Sequence, residues 1–98
     1  MPNIEEEIKS SLILDEPAKY KVLLHNDDYT TMDFVIDVLM GIFHKNMVES
    51  EQIMLKIHRT GKAVCGVYTY DIAQTKVYQV RQVAKTNGFP LLATLEEA

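Results

Sequence analysis

Residues 20–39 read YKVLLHNDDYTTMDFVIDVL and contain three patterns in succession. Residues 20–24 are rich in the residue types that favour strands. The polar residues that follow include Asn and Asp side chains, which favour turns. From Met32 onward, apolar residues recur three or four positions apart, as on one face of a helix. The stretch therefore predicts a strand, a turn and a helix, with Thr30 and Asp33 as an approximate capping box at the helix start.

The rest of the chain predicts two more helices and two more strands. The first helix is expected to end near Lys45-Asn46, where Asn can adopt the left-handed cap conformation. The remaining predicted elements are a helix at about 49–60, a strand at 63–70, a helix at about 71–87 and a strand at 91–95. The order β-α-α-β-α-β indicates an α+β fold, with three helices packed on one face of a three-stranded antiparallel sheet.

Length and charge limit what the chain can be. Ninety-eight residues form one domain, and a formal charge of -4 argues against nucleic-acid binding, which needs a basic face. Residues 1–18 are acidic and carry little apolar surface, so they are predicted to be a flexible tail preceding a domain of residues 19–98.

The expected location is the cytoplasm. The single cysteine, Cys65, allows no internal disulfide and fits a reducing compartment, and its apolar neighbours predict that it is buried. The N-terminus is acidic where a signal peptide is basic, and no apolar run is long enough to span a membrane.

Catalysis and metal binding are not favoured by the polar cluster. His25, Asp27 and Asp28 could ligate a cation, but the chain has no His-x-x-x-His or Cys-x-x-Cys spacing. Adjacent carboxylates on a loop rarely face each other as a catalytic pair does, and no Gly-rich phosphate loop is present. We therefore expect no enzyme activity, no metal and no cofactor.

Two interpretations of the cluster remain open from the residues alone. Asn26 and the two aspartates can simply form a turn, and the nearby methionines can simply fill the core. Alternatively, the helix that starts at Met32 packs beside the one that carries Met54, Ile57 and His58. Amide, carboxylate and imidazole would then surround an apolar pocket, which suits a ligand that is cationic at one point and apolar beyond it.

Three motifs in the same order resemble the ClpS adaptor family, the bacterial N-end-rule recognition proteins. The first is residues 20–39 quoted above. The second is residues 54–69, MLKIHRTGKAVCGVYT, and the third is residues 89–98, FPLLATLEEA. The resemblance covers nearly all of residues 19–98. It implies a non-catalytic adaptor that binds proteins with N-terminal Phe, Leu, Trp or Tyr and delivers them to a ClpA-type AAA+ unfoldase and its peptidase.

The resemblance also assigns roles by position. The α-amino group of the substrate would be bound by Asn26, Asp27 and His58. Its side chain would enter a pocket with Asp28 and Thr30 at the mouth and with walls of Met32, Val35, Met54, Ile57 and Leu91. The unfoldase contact would include Asp71 and Lys76, on a protein expected to be a monomer. An alternative function of a different class is an interaction module like the C-terminal domain of the ribosomal stalk protein, which has no need of the Asn-Asp-His set.

Overall fold

The computed structural model describes residue 4 and residues 17–98, so the tail predicted for residues 1–18 lies almost wholly outside the described residues. The elements that it describes are β1 (Lys19–His25), α1 (Met32–Gly41), α2 (Met47–Thr60), β2 (Lys62–Thr69), α3 (Tyr70–Asn87) and β3 (Leu92–Glu97). Within this part of the chain the predicted order of strands and helices is confirmed. None of the helices in it is long and apolar enough to cross a membrane.

The sheet of residues 17–98 has β1 at its centre. Its order is β2-β1-β3, and β1 pairs antiparallel with both neighbours. Side chains alternate between the faces of a strand, so Val22 and Leu24 lie on the same face, and both are completely buried. α3 packs across all three strands, while α2 packs against β2 and α1. The predicted α+β fold, with helices on one face of the sheet, is confirmed.

The helices supply most of the remaining core. Apolar side chains three or four positions apart on each helix pack into one core cluster with those of the strands. Those that are buried are Phe34, Val35, Val38, Leu39, Ile57, Ala73, Val77, Val80 and Ala84. Cys65 on β2 is buried among them, as predicted. Burial raises the pKa of its thiol to about 12, so this cysteine is not a reactive nucleophile.

The connection between α1 and α2 differs from the prediction. α1 ends at Gly41 rather than near Lys45-Asn46. His44, in the connection, has φ +55°, in the left-handed region that few non-glycine residues adopt. Asn46 is therefore not the C-cap of α1. It is the N-cap of α2, where it forms a reciprocal capping box with Glu49, so α2 begins at Met47.

The start of α1 needs a second correction. The predicted capping box of Thr30 and Asp33 is wrong, because Thr31 is the N-cap. Its Oγ1 accepts a hydrogen bond from the backbone N–H of Phe34 at 3.1 Å. The hydroxyl of Thr30 is instead used within the preceding loop. The limits of the other elements differ from the predicted limits by one or two residues.

Candidate functional site

The loop between β1 and α1 is built around the Asp27 carboxylate. Its Oδ1 accepts hydrogen bonds from the backbone N–H groups of Tyr29 (2.8 Å) and Thr30 (2.6 Å). Its Oδ2 accepts from the Thr30 hydroxyl at 2.7 Å. When an aspartate side chain accepts hydrogen bonds from the backbone N–H groups two and three residues later, these bonds hold the backbone in a turn. No helix or strand hydrogen bonds are needed for it. The polar cluster is therefore an ordered turn, as the simpler interpretation predicted.

The same hydrogen bonds set the charge of Asp27. Partial burial alone would raise the pKa of its carboxyl. Hydrogen bonds from the Thr30 side chain, from the Thr30 backbone and from the Tyr29 backbone favour the charged form and outweigh this effect. The pKa of Asp27 is therefore lowered, and the carboxylate is negative at neutral pH. Each carboxylate oxygen has two acceptor sites, so Asp27 can still accept from a ligand.

The loop is fastened to the end of α2. The backbone N–H of Asn26 donates to the carbonyl of Gly61 at 2.8 Å. Gly61 is the C-cap of α2, with φ +93°, a conformation that favours glycine. Its own N–H donates to the Ile57 carbonyl at 2.9 Å. This arrangement holds the Asn-Asp loop beside the last turn of α2, which carries His58.

The apolar part of the site comes from two helices. Met32 and Val35 lie in the first turn of α1, and Met54 and Ile57 lie on α2. Val35 and Ile57 belong to the core, whereas the Met32 side chain is 46% exposed. The Met32 side chain is therefore half exposed beside the other three residues, and its thioether is flexible.

These residues enclose a cavity of about 280 Å³. Its lining consists of Asn26, Asp27, Asp28, Thr30, Met32, Val35, Met54, Ile57 and His58. The structure thus brings together nine of the ten residues predicted for the amine site, the pocket and its mouth. Leu91 is the tenth. It is buried in the same core cluster as Val35 and Ile57 but does not line the cavity.

The cavity lining contains two kinds of side chain, hydrogen-bond acceptors and apolar groups. Carboxylate, amide and imidazole groups can accept hydrogen bonds, and the methionine and aliphatic side chains offer an apolar surface. The lining contains two carboxylates and neither Lys nor Arg, so its charge favours a cationic group. In residues 17–98 no three His, Cys, Asp or Glu side chains are grouped so that they could hold a metal ion.

A larger groove of about 620 Å³ lies between α3 and the edge strand β3. Its lining residues are Gln74, Thr75, Val77, Tyr78, Arg81, Ala93, Thr94 and Leu95. The one charged side chain in that lining is Arg81, which would repel an amine. The smaller cavity is therefore the better candidate for a cationic ligand, despite its size.

The two residues predicted for the unfoldase contact differ in their surroundings. Asp71 is exposed in the first turn of α3. Lys76 is half-buried, and its ammonium group donates to the backbone carbonyl of Ile42 at 2.7 Å. Only Asp71 of this pair has a charged group free of hydrogen bonds within the described part of the chain.

Sequence reasoning missed two features of the site. The first is the role of the Asp27 carboxylate as the acceptor that holds the predicted turn, although the Asp-x-x-Thr spacing of Asp27 and Thr30 is a signal for it. The second is the hydrogen bond from Asn26 to Gly61, which joins residues far apart in the chain. No local pattern signals that contact, because it depends on the pairing of β1 with β2.

The chain matches known proteins along most of its length. The family model described as ATP-dependent Clp protease adaptor protein ClpS matches residues 15–94. The ATP-dependent Clp protease adapter protein ClpS of Wolinella succinogenes is 56% identical over 95 residues, which are 97% of this chain and 93% of that protein. The protein of the same name from Syntrophus aciditrophicus is 54% identical, and the match covers 97% of this chain and 85% of that protein.

A solved structure has the same fold. Agrobacterium tumefaciens ClpS2 bound to L-phenylalaninamide superposes with a TM-score of 0.82 and is 41% identical in sequence. The match covers 85% of this chain and 100% of that chain.

Proposed function

Because the chain belongs to the ClpS family of ATP-dependent Clp protease adaptor proteins, we propose that its cavity binds the first residue of substrate proteins. The observation that carries the proposal is the 280 Å³ cavity, in which hydrogen-bond acceptors and apolar side chains line the same space. The ligand of the Agrobacterium relative supports it. L-Phenylalaninamide has a free α-amino group, and its amide replaces the peptide bond to a second residue, so it resembles an N-terminal Phe.

In this proposal the α-amino group is the cation. A protonated amine has three N–H donors and needs three acceptors. Asn26 offers a side-chain carbonyl, Asp27 a carboxylate and His58 the unprotonated nitrogen of a neutral imidazole. Hydrogen bonds that involve a charged group contribute about 1.5–3 kcal/mol each. An internal residue of a substrate has no such amine, so the site selects chain ends.

The side chain of the first residue enters between α1 and α2. Burial of a Phe or Leu side chain contributes about 1.5–3 kcal/mol. Neither this term nor the amine contacts alone offset the cost of association, so binding requires both. The preferred first residues are Phe, Leu, Trp and Tyr. Asp28 and Thr30 flank the mouth, while Leu91 supports the apolar walls from the core.

Delivery to a Clp AAA+ unfoldase is assigned to a different surface. Asp71 at the exposed start of α3 is the proposed contact for the N-terminal domain of a ClpA-type unfoldase. Lys76 contributes to the same region, although its ammonium group is held by Ile42. The protein itself catalyses nothing in this scheme, because the unfoldase and its peptidase perform the mechanical work and the cleavage.

The test is a titration of labelled peptides that differ only in their first residue. Phe, Leu, Tyr and Trp peptides are expected to bind in the micromolar range. Val and Ile peptides are expected to bind much more weakly, because a β-branched residue places a methyl group against the Met32 side chain. If the affinity for a Val peptide is within about twofold of that for the Leu peptide, the cavity does not discriminate between first side chains.

A further inference from the structure

We propose that Lys76 is a positioning residue for the first-residue pocket, an inference that rests on the proposed function. Lys76 lies on α3, outside the cavity lining, and its ammonium group donates to the Ile42 carbonyl at 2.7 Å. Ile42 is the C-cap of α1. The bond therefore joins α3 to the end of the helix whose first turn supplies Met32 and Val35 to the pocket.

The end of α1 lacks a positive charge of its own. The last carbonyl groups of a helix are unpaired within it and carry partial negative charge, which a cation stabilises. No basic residue occurs in the last turn of α1. Lys76 supplies this charge from α3. Its ammonium nitrogen also lies over the Tyr68 ring, 5.7 Å from the ring centroid, in a cation–π contact. The half-buried position of Lys76 shields the interaction from solvent.

The carbonyl that Lys76 holds lies at the hinge between α1 and α2. The hinge spans residues 42–46 and contains His44 at φ +55°. Two backbone bonds join the hinge to α1: the N–H of Ile42 donates to the Val38 carbonyl at 2.9 Å, and the N–H of Lys45 donates to the Leu39 carbonyl at 3.1 Å. Pocket residues on α1 face pocket residues on α2, so the spacing of the two helices sets the width of the pocket. Lys76 fixes this spacing by holding the hinge.

This role differs from a contact with the unfoldase. A residue that only touches the unfoldase has no effect on peptide binding when the unfoldase is absent. A positioning residue changes both peptide affinity and the discrimination between Leu and Val, because a less constrained α1 lets Met32 move away from a β-branched side chain. A residue that only stabilises the fold lowers the melting temperature and leaves the Leu-to-Val affinity ratio unchanged.

The experiment measures peptide affinity of the full chain without unfoldase. Lys76→Met keeps the methylene stem and removes the ammonium group. Its affinity for the Leu peptide is expected to fall about fivefold, with a smaller Leu-to-Val ratio. Lys76→Arg retains a charged donor and should stay within about twofold of the parent. The matched control is Lys85→Met, an equal loss of charge at an exposed position of the same helix, and it should bind like the parent.

Parent affinity and an unchanged Leu-to-Val ratio in Lys76→Met would overturn the proposal, even if the melting temperature fell. Lys76→Leu, which also has no donor and favours helix, provides the same comparison if the methionine variant does not fold. The proposed function is tested separately in the parent. If the parent does not distinguish a free from an acetylated Leu peptide, the proposed function fails, whereas a failure confined to Lys76→Met rejects only the positioning role.

Discussion

Asp27 illustrates how one residue can both build a site and act in it. Three hydrogen bonds from Tyr29 and Thr30 form the turn and lower the pKa of the carboxyl. The carboxylate keeps one acceptor site for a ligand, on Oδ2, since each oxygen has two lone pairs and Oδ1 already accepts two hydrogen bonds. The stability that these bonds contribute is present above the carboxyl's ordinary value of about 3.9 and is lost as pH falls through its lowered folded-state value. The turn should therefore persist in mildly acidic solution.

Acidification is predicted to weaken peptide binding through His58. Histidine is the side chain that usually changes charge between about pH 5 and pH 8. A protonated imidazole has no acceptor and repels the α-amino cation. Asp27 stays charged over this range because its pKa is lowered. Affinity measured from about pH 7 to about pH 5 should fall in the parent. His58→Ala should bind the peptide weakly at every pH in this range. An equal pH dependence of affinity in the parent and in His58→Ala would mean that His58 is not part of the amine site.

Met32 is predicted to determine the rejection of β-branched first residues. Met32→Ala should widen the mouth, so that Val and Ile peptides gain affinity while the Leu peptide loses little. The side chain is 46% exposed, so the loss in free energy of unfolding should stay below the roughly 2–5 kcal/mol of a buried Met→Ala change. Peptide titration and chemical unfolding check both points. Unchanged specificity together with a loss of several kcal/mol would mean that Met32 is a core residue.

The helices show what a hydrophobic pattern does and does not reveal. The prediction extended α1 too far because apolar residues continue at helical spacing through Ile42 and Phe43. Both pack against the core, but they do so from a turn rather than from a helix. The pattern therefore reports burial and not backbone conformation. Asn46 was ambiguous in the same way, although Glu49 three residues later was a signal for an N-cap.

The capping box of α2 is predicted to stabilise the fold without affecting the pocket. Asn46→Ala removes the acceptor for the Glu49 N–H and should lower the free energy of unfolding by about 1 kcal/mol. Peptide affinity should be unchanged, because the change removes only a cap hydrogen bond of α2 and leaves the bond between Lys76 and Ile42 intact. Gln52→Ala, an exposed change on the same helix, is the control and should stay within about 0.5 kcal/mol of the parent. An equal loss in both variants would mean that the cap contributes nothing specific.

At the scale of the whole molecule, the site exists because distant segments meet. β1 and β2 pair so that His25 lies opposite Lys62, which places the Asn26 loop against Gly61 at the end of α2. Local sequence patterns predicted each helix and strand but not this contact between the Asn26 loop and Gly61. The family resemblance supplied the set of residues, and the described structure places nine of those ten around one cavity. Leu91 departs from the set because it packs in the core.

Residues 1–17 are predicted to matter for delivery and not for recognition. The segment has too little apolar surface to fold with the domain, so it is not expected to shape the cavity. A chain lacking it should bind the Leu peptide with parent affinity but support slower degradation of a Leu-initiated substrate by the Clp unfoldase and peptidase. Both assays use the same substrate sequence, and the intact chain is the control. Weaker peptide binding by the truncated chain would mean that the segment is part of the recognition domain.

The central claim is that the cavity requires a free α-amino group and a large apolar side chain together. The most direct measurement compares a labelled Leu-initiated peptide with the same peptide acetylated at its N-terminus. Acetylation removes the charge and two of the three N–H donors that Asn26, Asp27 and His58 are proposed to bind, while the Leu side chain is unchanged. The account predicts micromolar affinity for the free peptide and a loss of at least about 100-fold on acetylation, because two charged hydrogen bonds are worth about 3–6 kcal/mol. Equal affinity for the two peptides would contradict it.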